Sequence, residues 1–321
     1  MRNACAERNR SSSRILSPET AGKNCLTGFE ENTSLFNPHE SSWPQVSPAG
    51  SGVQGHLHIE CQVDSHGRTF LRKQSFRAPI HLSKPHWDGN YLIINVVNPT
   101  AGLFAGDHVE VTVRVCAGAR AVLTTPSATR VFRAKHSMQR TEIVQIIVVE
   151  NGGRLDVCPD ILIAHGGARY SQASRIEVHA GGELFFTEML APGRTASGEV
   201  FAYEQLEFST DLIVGSQIAV KERYRLDASS EGLQSMRRRF PRAYYASSLV
   251  VSPSERWEFL QRGVEALNGA VVIAGASRPA DNVYAIKVVA SDSISLRTAI
   301  SKVRTLVYSH CERPEPSLRK L

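Results

Sequence analysis

Four times between Val111 and Val220 the chain repeats one pattern: an apolar strand, a short turn carrying glycine, and a second strand. The instances are VTVRVCAGARAVL, IVVENGGRLDV, RIEVHAGGELFF and, more loosely, LIVGSQIAV. Their turn glycines, Gly118, Gly152, Gly181 and Gly215, fall 34, 29 and 34 residues apart. Tight turns need a positive φ, which a Cβ resists. Two strands per unit at a period of roughly 30 residues predict stacked hairpins or β-helix-like coils. An ordinary antiparallel sheet with evenly spaced turns is the competing reading. The first unit is the clearest. Val109, Val111, Val113 and Val115 share one face while Glu110, Thr112 and Arg114 share the other, the period-2 signature of a half-buried strand.

Strands are also expected at His56–Glu60, Thr69–Phe76 and Tyr91–Val97, the last buried on both faces. After Val251 the pattern changes. Ser252-Pro253-Ser254-Glu255 has capping-box spacing with proline at the first helical position. Trp257, Leu260, Val264 and Leu267 then mark one helical face, and Asn268-Gly269 marks its stop. A buried strand at Ala270–Ala274, a strand at Val283–Ala290 and an amphipathic helix over Ser293–Tyr308 follow. The fold class is therefore mainly β: stacked β-hairpins in a β-helix-like body, with a small C-terminal α/β part holding two helices. Residues 1–50 show no period and are rich in Ser, Asn, Pro and Glu, which predicts a disordered extension. The body is expected over 51–250, the cap over 251–310 and a polar tail over 311–321.

Composition narrows the function classes. With 321 residues, 42% apolar and 21% charged, the chain can bury a sizeable core. A net charge of +6 and a pI near 9.1 favour an acidic partner without requiring nucleic acid. The six cysteines include no CxxC pair, a pattern of reduced thiols rather than a disulfide framework or structural zinc. No apolar run is long enough to span a bilayer, and the Arg- and Ser-rich N-terminus lacks the apolar centre of a secretory signal. Glu7, Glu19, Glu30 and Glu31 argue against a transit peptide. The cytoplasm is the expected location.

Familiar chemistries are weakly supported. His56 and His58 share a strand face, yet a lone pair on an edge strand is more often solvated than ligating. His165-Gly166-Gly167 reads as a loop. Asp107 directly follows a glycine turn, where an aspartate caps backbone N–H groups; a ligand role is the alternative. There is no nucleophile elbow, Walker loop or dinucleotide-binding fingerprint. The run from Arg237 to Tyr245 interleaves arginines with aromatics, which suits a nucleic acid or, more commonly, a protein surface.

Gly102-Leu103-Phe104-Ala105-Gly106-Asp107, a strand, and then Thr124-Thr125-Pro126-Ser127-Ala128-Thr129-Arg130-Val131-Phe132-Arg133 together resemble the urease accessory protein UreD family, also called UreH. Leu155 to Ile161 and Gly193-Arg194 with Gly198-Glu199 continue the resemblance in the family's order. Ala101 stands where the family usually has glycine, and Arg130 and Phe132 replace its commoner Lys and Tyr. The resemblance implies a non-catalytic maturation factor that joins UreF, the GTPase UreG and apo-urease while nickel is delivered. It also implies a β-helix-like stack of strands. No tightly bound cofactor is expected, nickel only passes through, and the protein works as a hetero-oligomer without nucleic acid or membrane. Asp107, Thr124, Thr125 and Glu199 are expected to line an internal polar passage or to lock turns, both readings standing equal. Gly102, Gly106, Arg130, Arg194 and Gly198 are expected as structural motif residues, with Arg194 holding Glu199 or another buried carboxylate as an ion pair. Arg237, Arg238, Arg239, Tyr244, Tyr245, Leu296 and Val303 are the expected partner contacts. Deleting Ser293–Leu321 is expected to abolish UreF binding while leaving the β-body soluble.

Overall fold

The computed structural model describes residues 52–133, 139–253 and 256–318. The expected N-terminal extension lies outside the described residues, as do Ser254 and Glu255 of the expected capping box. Strands are numbered β1 to β18 along the chain. A seven-stranded sheet holds β1 (Gln54–Val63), β2 (Thr69–Arg77), β6 (His108–Val115), β9 (Thr141–Val149), β12 (Arg169–Val178), β14 (Gln205–Val214) and β15 (Gln217–Asp227). Its order is β15-β14-β12-β9-β6-β1-β2. The second sheet runs β17 (Val272–Ala280), β18 (Val283–Ala290), β16 (Tyr244–Val251), β13 (Glu183–Leu190), β10 (Arg154–Cys158), β7 (Arg120–Thr124), β5 (Tyr91–Val97), β3 (His81–Leu82). Three short strands, β4 (His86–Asp88), β8 (Thr129–Val131) and β11 (Leu162–Ala164), pair beside it.

The recurrent units are coils in three cases and a hairpin in the fourth. The strands flanking Gly118, Gly152 and Gly181 do not pair with each other; one joins each sheet. Successive units stack instead, so β1, β6, β9, β12 and β14 are parallel in the first sheet. In the second, β5, β7, β10 and β13 are parallel. Each corner closes with the same bond: Ala119, Gly153 and Gly182 donate to the carbonyls of Cys116, Glu150 and His179 at 3.0, 2.9 and 2.8 Å. Gly118, Gly152 and Gly181 occupy the third position of these turns with φ of 73°, 68° and 78°. Only around Gly215 do the flanking strands, β14 and β15, pair antiparallel.

Burial follows the alternation. Leu57, Ile59, Val113, Val115, Ile147, Val149, Leu155, Leu184 and Phe186 face inward between the sheets. The segment set off as a cap is continuous with this body, because β16 pairs antiparallel with β13 and carries β18 and β17 outward. Over its outer face pack α2 (Trp257–Glu265) and α3 (Ser293–His310), which bury Leu260, Val264, Leu296, Ile300, Val303 and Val307. Asp292 caps α3, its Oδ1 accepting from the Ile294 and Ser295 amides at 2.9 and 2.8 Å.

Two expectations need correction, and two features were not anticipated. α2 begins at Trp257 behind Arg256, which makes no side-chain cap, so Pro253 is not its first residue. The strand expected to be buried at 270–274 starts at Val272 and is an exposed sheet edge, with Ile273 52% accessible. A helix unmarked by the sequence reading, α1 (Glu231–Arg239), buries Leu233. The C-terminal tail is docked through residue 318: Glu315 pairs with Arg304, Arg313 with Glu183, and the Ser317 amide donates to Asp88 at 2.6 Å.

Candidate functional site

The two segments that carried the family resemblance lock together. The Leu103 amide donates to the Arg130 carbonyl and the Phe132 amide to the Leu103 carbonyl, both at 2.8 Å. Gly102 permits this approach, since a Cβ there would lie 2.5 Å from the Arg130 oxygen. Gly102→Ala is therefore expected to lower stability by about 1–3 kcal/mol, read as a drop in thermal midpoint; an unchanged midpoint would mean that the loop yields. Asp107 is 2% exposed, and its two oxygens accept from the Val53 and Phe104 amides at 3.0 and 2.8 Å. Gly106 supplies the positive φ of that turn. Asp107 holds a turn, and it is absent from the cavity described next.

That cavity, about 350 Å³, lies between the sheets. On one side of it sits the cluster of Leu57, Ile147, Val157 and Phe186. On the other sit Leu103, Val109, Leu162 and Phe208. A polar layer fills the gap. Thr124 and Thr125 line it at one side: Thr124 donates to the Cys158 carbonyl at 2.7 Å, and the Thr125 hydroxyl accepts from the Asp160 amide at 2.7 Å. Asn98, Thr100, Ser127 and Arg130 also line it. Deeper in, Tyr170 donates to Gln172 at 2.6 Å, and the Gln172 amide donates to Glu188. Beyond Glu188, Glu222 is held by Lys287, Ser247 and Tyr245. Burial, and next the Glu222 charge, push the Glu188 carboxyl up to about 8, with Lys287 opposing.

The sequence reading missed Gln145, Gln172 and Glu188. The available signal was parity: each is a polar residue at a position in register with the inward-facing apolar residues of its strand. A second cleft of about 490 Å³ under α3 shares Pro159, Asp160, Thr187 and Met189 with the internal cavity. Arg297 reaches Asp160 from the cleft side, Nε to Oδ1 at 2.9 Å.

Glu199 lies away from the cavity. Arg194 grips both its oxygens, its Oε2 also accepts from the Gly166 amide at 2.8 Å, and this pulls the carboxyl down to about 2, with Arg194 the chief cause. Gly198, at φ 76°, closes the short helical turn between the partners. The pair staples a corner, as Arg194 was expected to do. Of the expected passage residues, the structure brings only Thr124 and Thr125 to the cavity.

Other candidates resolve structurally. β1 is flanked by β2 and β6, so His56 and His58 are not on an edge. Their rings meet at 4.8 Å and no third ligand joins them; no group of three metal-ligating side chains occurs among the described residues. His165 packs on Phe132 at 4.3 Å. Leu296 and Val303 are fully buried beneath α3, so they belong to the core and not to a partner surface. Deleting Ser293–Leu321 would strip that core, which overturns the expectation of a soluble β-body. Tyr244 is buried and Tyr245 turns its hydroxyl to Glu222, while the arginines of that cluster, Arg237, Arg238, Arg239 and Arg242, are exposed. No helix among the described residues is long and apolar enough to cross a membrane.

Fold and site define a parallel two-sheet β-coil that encloses a polar layer between two apolar clusters. A family model described as UreD urease accessory protein matches residues 53–320, and the chain belongs to that family. It is 35% identical over 272 residues to the urease accessory protein UreD of Opitutus terrae, an alignment covering 83% of this chain and 98% of that relative. It is 31% identical over 185 residues to the protein of that name from Herpetosiphon aurantiacus, covering 57% and 63%. With that of Deinococcus radiodurans it shares 33% identity over 174 residues, covering 54% and 60%.

Proposed function

We propose that this chain is a non-catalytic maturation scaffold that joins UreF, UreG and apo-urease, with nickel moving as cargo through its internal polar layer. The observation that carries the reading is the set of polar groups that line one internal cavity. Thr100, Thr124, Thr125, Gln172 and Glu188 face it among apolar clusters, and the charge of Glu222 acts on Glu188. Hydroxyls, amides and carboxylates hold a divalent ion loosely, whereas a site of several thiolates and imidazoles would retain it. This suits transit, with nickel never a resident cofactor. Docked partners at both ends make the working form a hetero-oligomer, in the cytoplasm.

The test is Glu188→Gln, which keeps the shape and hydrogen-bonding size of the side chain but cannot take a negative charge. The variant is expected to form the accessory complex with UreF, UreG and apo-urease normally while the nickel content of the matured urease falls severalfold. Full nickel loading at normal complex yield would eliminate the passage. Asp107→Asn serves as comparison: it should lower the thermal midpoint of the chain without a nickel defect in the complexes that form.

A further inference from the structure

Arginines on this chain are for the most part paired with carboxylates, from Arg72 with Glu60 to Arg313 with Glu183. Arg68, Arg77 and Arg120 have no such partner among the described residues, but a larger unpaired group gathers at one end of the coil. Arg130 and Arg133 are exposed, and neither has a carboxylate partner among the described residues. The same holds for Arg237, Arg238, Arg239 and Arg242, at the end of α1 and just after it.

Strand register joins these residues into one face. Arg130 lies beside Ile163 in β11, Leu162 beside Leu190 at the end of β13, and Leu190 beside Tyr245 at the start of β16. Arg242 therefore precedes a strand in the same row. Arg133 covers Gly167, whose amide donates to the Ala202 carbonyl at 2.8 Å. The next residue, Tyr203, feels the charge of Arg237. The two arginine groups thus approach adjacent residues, Ala202 and Tyr203. Next to Arg133 in the chain, Phe132 stacks on Phe104, the rings parallel at 5.0 Å, and Phe104 remains 46% exposed.

We propose that this arginine-rich end is a docking face for a carboxylate-rich segment of a partner protein. Guanidinium groups left unpaired on a chain that pairs most others are available to bidentate carboxylate contacts. An exposed Phe104 supplies the apolar anchor that such contacts surround. Nucleic acid fits less well. Base stacking needs open aromatic faces, but Phe104 and Phe132 each spend one on the other, and Tyr244 and Tyr245 are turned into the strand. The inference rests on the accessory-protein reading only for the existence of a partner, and not on the passage.

The experiment titrates the full chain with a fluorescent synthetic oligoglutamate peptide bearing one tyrosine, and in parallel with single-stranded DNA of matched charge. Wild type is expected to bind the peptide in a salt-sensitive way. Arg130→Glu with Arg133→Glu, and separately Arg237→Glu with Arg239→Glu, should each weaken binding roughly tenfold or more. Phe104→Ser should weaken it at constant salt dependence, while Arg262→Glu on α2 should leave it unchanged. All the reversed positions are exposed, and circular dichroism checks that each variant folds. No peptide binding by wild type, or binding as tight as wild type in either double variant, would overturn the proposal. Tighter binding of the DNA, lost in the same variants, would overturn it in favour of a nucleic-acid face. None of these measurements involves nickel or urease, so their failure leaves the passage reading standing.

Discussion

Arg304→Ala is expected to destabilise the chain by about 3–5 kcal/mol, the cost of breaking a buried ion pair from one side. Arg304 is 4% exposed and its partner Asp156 is fully buried. Its Nε and Nη2 donate to Asp156 Oδ2 at 3.1 and 3.0 Å, while Nη1 donates to Glu315 at 2.6 Å and to the Pro316 carbonyl at 2.9 Å. Tyr308 donates to the same Asp156 oxygen at 2.7 Å. One guanidinium therefore ties β10, α3 and the C-terminal tail together. Arg154 stands 3.7 Å from the other Asp156 oxygen, and alone it cannot replace the fork. Against a total stability of about 5–15 kcal/mol, the loss is large. Arg304→Lys should recover only part of it, since an ammonium lacks the planar fork. Denaturant unfolding of both variants measures this. A loss below about 1 kcal/mol for alanine would show that Arg154 suffices.

That network also shows what a one-dimensional reading can and cannot see. Apolar runs placed β5 and β18 at the observed boundaries, β5 as a continuous run buried on both faces. The apolar stripe of α3 was equally legible. The turn glycines gave the period, but a period does not state which strands pair. VTVRV and ARAVL look like the two arms of a hairpin whether they face each other or join separate sheets. Only the LIVGSQIAV unit proved to be a hairpin. A short apolar run such as VVIA carries no mark of edge or centre, which is why β17 was expected to be buried. α1 was missed because EGLQSMRRR presents too little apolar stripe, with Leu233 its buried anchor. At the site, Thr124 and Thr125 were visible as an odd polar segment. Asp107 and Glu199 drew notice as acids in family motifs, yet local N–H and guanidinium donors consume both. Glu188, an acid that faces the cavity, sat unremarked inside ELFFTEML, since a polar letter in a strand resembles a surface position until its parity is counted.

Glu188→Gln is expected to make the chain more stable above neutral pH and to change little under acid conditions. Glu188 holds its proton up to about pH 8 in the folded chain, because the cavity solvates a carboxylate poorly and Glu222 repels it. In the unfolded chain it ionises near 4.3. Below that value both states carry the proton, and Glu188 imposes no penalty. As pH rises through 4 to 8 the unfolded state releases the proton while the folded state keeps it, so stability falls across this window and levels above about 8. Glutamine cannot ionise in either state and removes the slope. The gain at pH 8 should be on the order of 2 kcal/mol, smaller than the full shift implies because the side chain is half-buried and faces the cavity. Glu199 acts with the opposite sign. Its carboxyl is held down to about 2, so its stabilisation is present above the unfolded value and is lost as pH falls toward 2. Unfolding midpoints of wild type and Glu188→Gln measured from pH 4 to 9 separate the two groups. The curves should converge near pH 4 and diverge steadily to pH 8; parallel curves would mean that Glu188 is already ionised in the folded chain. In that event the polar layer carries a standing negative charge, and a cation entering it would displace no proton.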